Sequence, residues 1–145
     1  MGLVDDAGPG AVGLDASAFI YYIEDDARYA ALLEPIFTRP GRDATVVTSA
    51  MTLLEVLVVP IRRGQAKLAD RYDQLLTRSR GVRLVDVTRD QLRAAASLRA
   101  VLSLKTPDAL QVVAATSAGC KVFVTNDRRL PVIPGLRVIQ LSDYA

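Results

Sequence analysis

The chain contains no histidine, no tryptophan, one cysteine and only three lysines among 145 residues. The lack of histidine excludes the most. It rules out Ser-His-Asp and Cys-His catalysis, His-ligated zinc, and nucleases that rely on a histidine base. Any hydrolytic chemistry must then come from carboxylates, with a metal as the natural helper. A lone Cys120 forbids an internal disulfide and agrees with a reducing, cytoplasmic setting. No apolar run is long enough to cross a bilayer, and the opening MGLVDDAGPG carries acids where a signal peptide carries basic residues. A net charge of +2 leaves no broad positive coat. The 15 arginines could fork onto phosphates, but an Ala-, Val- and Arg-rich composition from a GC-rich genome explains them equally well.

What is present is a globular composition, with 50% hydrophobic and 23% charged residues, sized for one domain over residues 1–145 with a loose first ten. Apolar "AVGLDAS" (Ala11 to Ser17) reads as a strand ending at Asp15, followed by helical "AFIYYIEDD" and a helix from about Ala27 to Phe37. "RPGRD" (Arg39 to Asp43) is a loop, and "ATVVT" a β-branched strand after which Ser49 can cap a helix towards Pro60. A polar helix from about Gln65 to Arg78 precedes the strand "VRLVDV" (Val82 to Val87). Leu92, Ala95, Leu98 and Leu102 recur at helical spacing after the N-cap candidate Thr88. "TPDALQVVAATSAG" opens with a cap residue and a proline and closes at Gly119; "KVFVTND" and "LRVIQL" (Leu136 to Leu141) are the last strands. Strands alternating with helices predict a three-layer α/β/α domain around a mostly parallel sheet of about five strands.

Parallel sheets bind ligands beyond the carboxyl ends of their strands, and four acids fall where they could meet there. Asp15 ends the first strand, Asp127 follows "KVFVT", Asp108 sits in the first turn of its helix, and Glu55 lies one to two turns into the helix after the second strand. Three have simpler roles open to them: Asp15 and Asp127 as caps or turn residues, Asp108 as a partner of the helix dipole. Glu55 does not. Its helical neighbours are Met51, Thr52, Val58 and Val59, and no basic residue lies between Thr45 and Ile61. That face predicts a carboxylate aimed at protein, whose partner is a distant arginine or a bound cation. A cluster of the four around a hard divalent ion accounts for all of them, and suits metal-assisted phosphodiester hydrolysis.

The stretches "VGLDASAFIYYIE", "VVTSAMTLLEVLVVPIRRG", "LKTPDALQVVAA" and "KVFVTNDRRL" occur in the order and spacing of a PIN-domain ribonuclease. From about Val12 to Leu141 the chain most resembles the VapC-type toxins of toxin–antitoxin pairs. The resemblance implies a PIN-like fold and a Mg²⁺- or Mn²⁺-dependent endoribonuclease. Asp15, Asp108 and Asp127 would line the metal site, with Glu55 completing the catalytic quartet and Ser17, Thr125 and Asn126 supporting it. It also implies an RNA substrate, a cognate VapB-like antitoxin and a homodimer. Val59 departs from the pattern, which has glycine there, and the first ten residues have no counterpart.

Lys105, Arg128 and Arg129 are placed to reach RNA phosphates beside the acids, whereas Arg62 and Arg63 fit a solvated surface as well. "FIYYI" (Phe19 to Ile23) reads either as core packing or as part of an antitoxin groove. Two other functions stay open: a PIN nuclease of RNA processing without an antitoxin, and an inactive module that binds RNA or protein. The complete quartet argues against the second. Receiver domains need an acidic pair at strand one and a later lysine; haloacid-dehalogenase phosphatases need Asp-x-Asp, and Ser17 stands two residues beyond Asp15.

Overall fold

The computed structural model describes residues 2–41 and 45–145. Met1, the end of the Arg39–Asp43 loop and Ala44 lie outside the described residues. Five strands form one parallel sheet: β1 (Val12–Leu14), β2 (Val46–Ser49), β3 (Val82–Val85), β4 (Val122–Thr125) and β5 (Arg137–Gln140). Their order is β3-β2-β1-β4-β5. The helices are α1 (Leu3–Ala7), α2 (Ala16–Ile23), α3 (Ala30–Phe37), α4 (Met51–Arg62), α5 (Ala66–Arg78), α6 (Arg89–Val101) and α7 (Thr106–Ser117), and a 3₁₀ turn closes the chain at Leu141–Tyr144. None of the described helices is long and apolar enough to cross a membrane.

Successive strand residues point to opposite faces, so a sheet covered on both sides buries every position and is apolar wherever a side chain has no hydrogen-bond partner. β1, β2 and β4 are buried throughout. Val12, Leu14, Val46, Val122 and Val124 pack on one face with Phe19, Leu33, Ile36, Val56, Tyr72 and Leu76 from α2 to α5. Val47 and Phe123 pack on the other with α7 and Ala95 of α6. Three layers result, as the alternation predicts. At Gly13 an added Cβ would lie 2.7 Å from the Phe123 ring and 2.9 Å from the Ala115 Cβ, so glycine lets α7 settle close onto β1.

Several local expectations need correction. The start is not loose: Leu3 and Ala7 are buried, and α1 lies against α3. α3 begins at Ala30 rather than near Ala27, because Asp26 Oδ1 accepts from the Arg28 and Tyr29 N–H groups and holds a turn there. α4 runs through Pro60 to Arg62, with Ala50 at its cap position; Ser49 ends β2, though its Oγ accepts from the Met51 N–H at 3.2 Å. α7 starts one residue earlier than a Thr106 cap would set it. Its cap position is Lys105, and the Thr106 hydroxyl accepts instead from Arg99 Nη1 at 3.0 Å. Thr88 does cap α6, accepting from the Gln91 N–H.

Candidate active site

The chain builds outward from β1 through β2 to β3, then returns to place β4 on the other side of β1. The order therefore reverses between β1 and β4, where a parallel sheet opens a crevice beyond its strand ends. Asp15 directly follows β1, and Asp127 stands two residues past β4. A cavity of about 340 Å³ opens there, and Asp15, Glu55, Asp108 and Asp127 all line it. Ser17, Asn126 and Arg129 line it too, together with Tyr21 and Gln111.

Asp15 caps α2 and faces the cavity as well. Its Oδ1 accepts from the Ala18 N–H at 3.2 Å and its Oδ2 from the Thr125 hydroxyl at 2.5 Å. Burial raises its pKa most; those two bonds oppose the rise, and Asp108 and Asp127 add to it. Thr125 is 1% exposed, and its Oγ also accepts from the Asp127 N–H at 3.0 Å. One hydroxyl thus ties the first acid to the last. Asn126 Oδ1 accepts from the Ser142 N–H at 2.8 Å, anchoring the "TND" turn to the chain end, and its Nδ2 lies 3.5 Å from the Tyr21 hydroxyl.

Burial raises the pKa of Asp108 and Glu55 too, and the neighbouring acids push further: Asp127 on Asp108, Asp15 and Asp108 on Glu55. Arg129 and Lys105 partly offset the rise at Asp108. Asp127 behaves oppositely. Hydrogen bonds from Arg129 hold it below the ordinary carboxylate range, through the guanidinium at 3.0 and 3.3 Å and the backbone N–H at 2.9 Å. Three acids are thus short of positive charge, while the fourth has borrowed some from its neighbour.

Glu55 corrects one expectation and meets another. The buried stripe of α4 is Thr52, Val56 and Pro60. Glu55 as a residue is exposed, and so are Leu54, Val58 and Val59, but its carboxylate is partly shielded where it lines the cavity, which is the burial that raises its pKa. Of its helical neighbours, Met51 and Thr52 turn towards the core while Val58 and Val59 mark an open surface, because hydrophobicity alone does not say which of two adjacent stripes is covered. No arginine is its partner: the ion pairs among the described residues are Arg93–Asp90, Arg128–Asp143 and Arg129–Asp127. It does share the cavity with the other three acids.

The basic residues divide. Arg129 lines the cavity, and exposed Lys105 lines an adjoining one with Asp108 and Asp127. Arg128 turns to the closing 3₁₀ turn, where its guanidinium meets Ser142 Oγ at 2.9 Å and the Asp143 carboxylate. In "FIYYI", Phe19 and Tyr22 pack on Phe37, edge-on and stacked, whereas Tyr21 reaches the cavity.

Gln111 is the feature that sequence reasoning missed. It is 4% exposed, and its amide joins Thr48 of β2 and Thr52 of α4. Its signal was a polar side chain in an apolar run, the same one that draws attention to Glu55.

Donor type and charge fit a hard divalent cation: oxygen ligands only, in excess of local positive charge. Among the described residues no three acids are already gathered as an ion cage. Asp127 faces Arg129, and both Asp15 oxygens are engaged.

A PIN domain model matches residues 12–136. No curated protein matches the chain by sequence. Among solved structures, VapBC2 from Rickettsia felis bound to a DNA fragment from its promoter is similar, with TM-score 0.67, 19% identity, and 90% of this chain and 98% of that one covered. A toxin–antitoxin complex from Klebsiella pneumoniae follows at TM-score 0.66 and 20% identity, over 91% and 98%. VapC20 of Mycobacterium tuberculosis, a sarcin-ricin loop cleaving toxin, aligns at TM-score 0.64 and 21% identity, over 83% and 92%. At such identities the likeness is one of fold, and the family match covers most of the sequence around the acid-lined crevice: this chain belongs to the PIN-domain family.

Proposed function

We propose that this chain is an endoribonuclease that hydrolyses RNA phosphodiester bonds with Mg²⁺ or Mn²⁺, and is the toxin of a pair restrained by a VapB-like antitoxin. The observation that carries the reading is the convergence of four carboxylates on one cavity, three of them raised by burial and by one another. A pure binding module has no use for such mutual repulsion, whereas a divalent cation relieves it.

Asp15, Asp108 and Asp127 would hold the ion, with Glu55 lining the same cavity as the Thr125-linked pair. Bound there, the metal supplies Lewis acidity and a water acidified enough to act near neutral pH. The protein's own residues set the stage. Thr125 fixes the orientation of Asp15 and the position of the Asp127 backbone, and Asn126 pins the turn between them. Arg129 and Lys105 flank the acids and offer the positive charge that an RNA phosphate needs there. To do so Arg129 would have to release Asp127, and solvent around its exposed guanidinium weakens that pairing.

The fold shared with toxin–antitoxin complexes supports an antitoxin partner, and exposed Leu54 and Val58, on the same helix as Glu55, offer apolar surface for it to cover; a homodimer is part of the same proposal. RNA as substrate agrees with the cytoplasmic setting expected from a single cysteine.

Inducing wild type in cells should arrest growth and create new RNA 5′ ends, and Asp108→Asn should do neither while retaining its circular dichroism and melting as one transition. Growth arrest by Asp108→Asn equal to wild type would refute the site assignment.

A further inference from the structure

Beneath the acids lies a ring of buried polar groups that the reading above does not use. Thr48, Ser49, Thr52 and Gln111 are 1%, 2%, 0% and 4% exposed. The Thr48 hydroxyl donates to Gln111 Oε1 at 3.1 Å, and Gln111 Nε2 donates to Thr52 Oγ1 at 2.7 Å. Thr48 and Thr52 Oγ1 are 2.6 Å apart. Each hydroxyl has one proton, and that of Thr48 is committed to Gln111, so Thr52 must donate to Thr48. The three bonds then run head to tail around a closed ring, an arrangement in which each bond polarises the next. The Ser49 N–H donates to the same Gln111 Oε1 at 3.1 Å, so every oxygen in the ring is used.

The ring joins three elements: the end of β2, the first turn of α4, and α7. Its helical members lie one turn from two of the acids. Glu55 is three residues after Thr52, and Asp108 three residues before Gln111, so each acid shares a helix face with a ring member. Gln111 itself also reaches the cavity wall. Bonds this short and buried hold α4 and α7 at one separation, which sets the separation of the carboxylates they carry.

We infer that Gln111, Thr48 and Thr52 are positioning residues: their closed ring fixes Asp108 relative to Glu55 and so tunes the cavity's affinity for a divalent cation. The inference deepens the metal-dependent reading and rests on it. Purely apolar packing would hold the helices together as firmly, but would allow them to slide. A ring of directed bonds does not.

The test is Mn²⁺ binding to the full-length protein by isothermal titration calorimetry, with thermal melting in EDTA alongside. Asp108→Asn serves as the control. Gln111→Leu and Thr52→Val should each weaken Mn²⁺ binding by about tenfold or more. The double variant should bind no more weakly than the worse single, because either change opens the same ring. If Gln111→Leu fails to fold, Thr52→Val, nearly equal in volume, decides alone. A lower melting temperature with Mn²⁺ affinity unchanged would make the ring merely structural and overturn the inference while wild-type binding leaves the metal reading standing. Wild type that binds no Mn²⁺, or binds it as well with Asp108→Asn, would overturn the metal reading and the inference with it.

Discussion

A carboxylate raised by its surroundings binds its proton more tightly in the fold than in the unfolded chain. Asp15, Glu55 and Asp108 are all of this kind, with burial as the largest cause. Stability rises with pH only where the unfolded chain holds more protons, and here the fold holds more. The contribution of these three acids therefore falls as pH climbs from the ordinary carboxylate range through their raised values. Asp127 runs the other way, contributing stability above the ordinary range and losing it as pH falls through its depressed value. Metal-free protein should accordingly be less stable at pH 7 than at about pH 5, and Asp108→Asn should raise its melting temperature at pH 7, modestly because solvent screens this half-exposed site. Melting curves in EDTA at the two pH values check both; a lower melting temperature for Asp108→Asn would mean that Asp108 is not held under repulsion. The lone thiol of Cys120 is of a different kind. It is buried, with its pKa pushed up to about 11 by burial, and takes no part in the chemistry.

The elements show how far side-chain pattern alone carries. The strands and most helices were readable because their periods differ, and Asp15, Asp108 and Asp127 were readable because each sits at an element boundary. Glu55 was found for a reason only half correct: it does share a cavity with the other acids, but Val58 and Val59 beside it face outward. A helix with two apolar stripes does not declare which one the sheet covers. The Gln111 ring was hidden for a related cause, since its partners are about 60 residues apart in sequence, at 62 and 63 positions for the β2 pairs. The cap of α7 was misplaced because Arg99 takes the Thr106 hydroxyl, and that of α4 because Ser49 is still paired with Val85 in the sheet. The seat of α7 against β1 gives a test at this scale. Gly13→Ala would press a methyl group to 2.7 Å from Phe123, and should destabilise the protein by about 1–3 kcal/mol through overpacking. Urea unfolding measures it, and a neutral result would show that α7 is free to lift.

Across the whole molecule, the two ends of the chain meet. The Tyr144 hydroxyl bonds the Asp6 carboxylate, and Arg137 Nη1 donates to the Asp6 carbonyl at 3.1 Å. α1 inserts Leu3, 2% exposed, into the core on the α3 side. Composition suggested a loose start because five residues between glycines rarely form a helix unaided; tertiary contacts supply what propensity lacks. Leu3→Ala should cost about 2–5 kcal/mol by urea unfolding and leave the acids where they are. The topology, by contrast, was legible only as a class. Alternating strands and helices implied a parallel sheet, but the return of the chain to place β4 beside β1, which brings Asp127 to Asp15, depends on strand order that no local pattern encodes. The central claim is that these acids form a metal-dependent RNA-cleaving site, and cleavage of a defined RNA by the purified chain tests it most directly. Wild type should cut with Mn²⁺ or Mg²⁺, stop in EDTA and resume when the ion is restored in excess, while Asp15→Asn and Asp108→Asn stay inactive throughout. Cleavage that persists in EDTA, or in either variant at the wild-type rate, would contradict it.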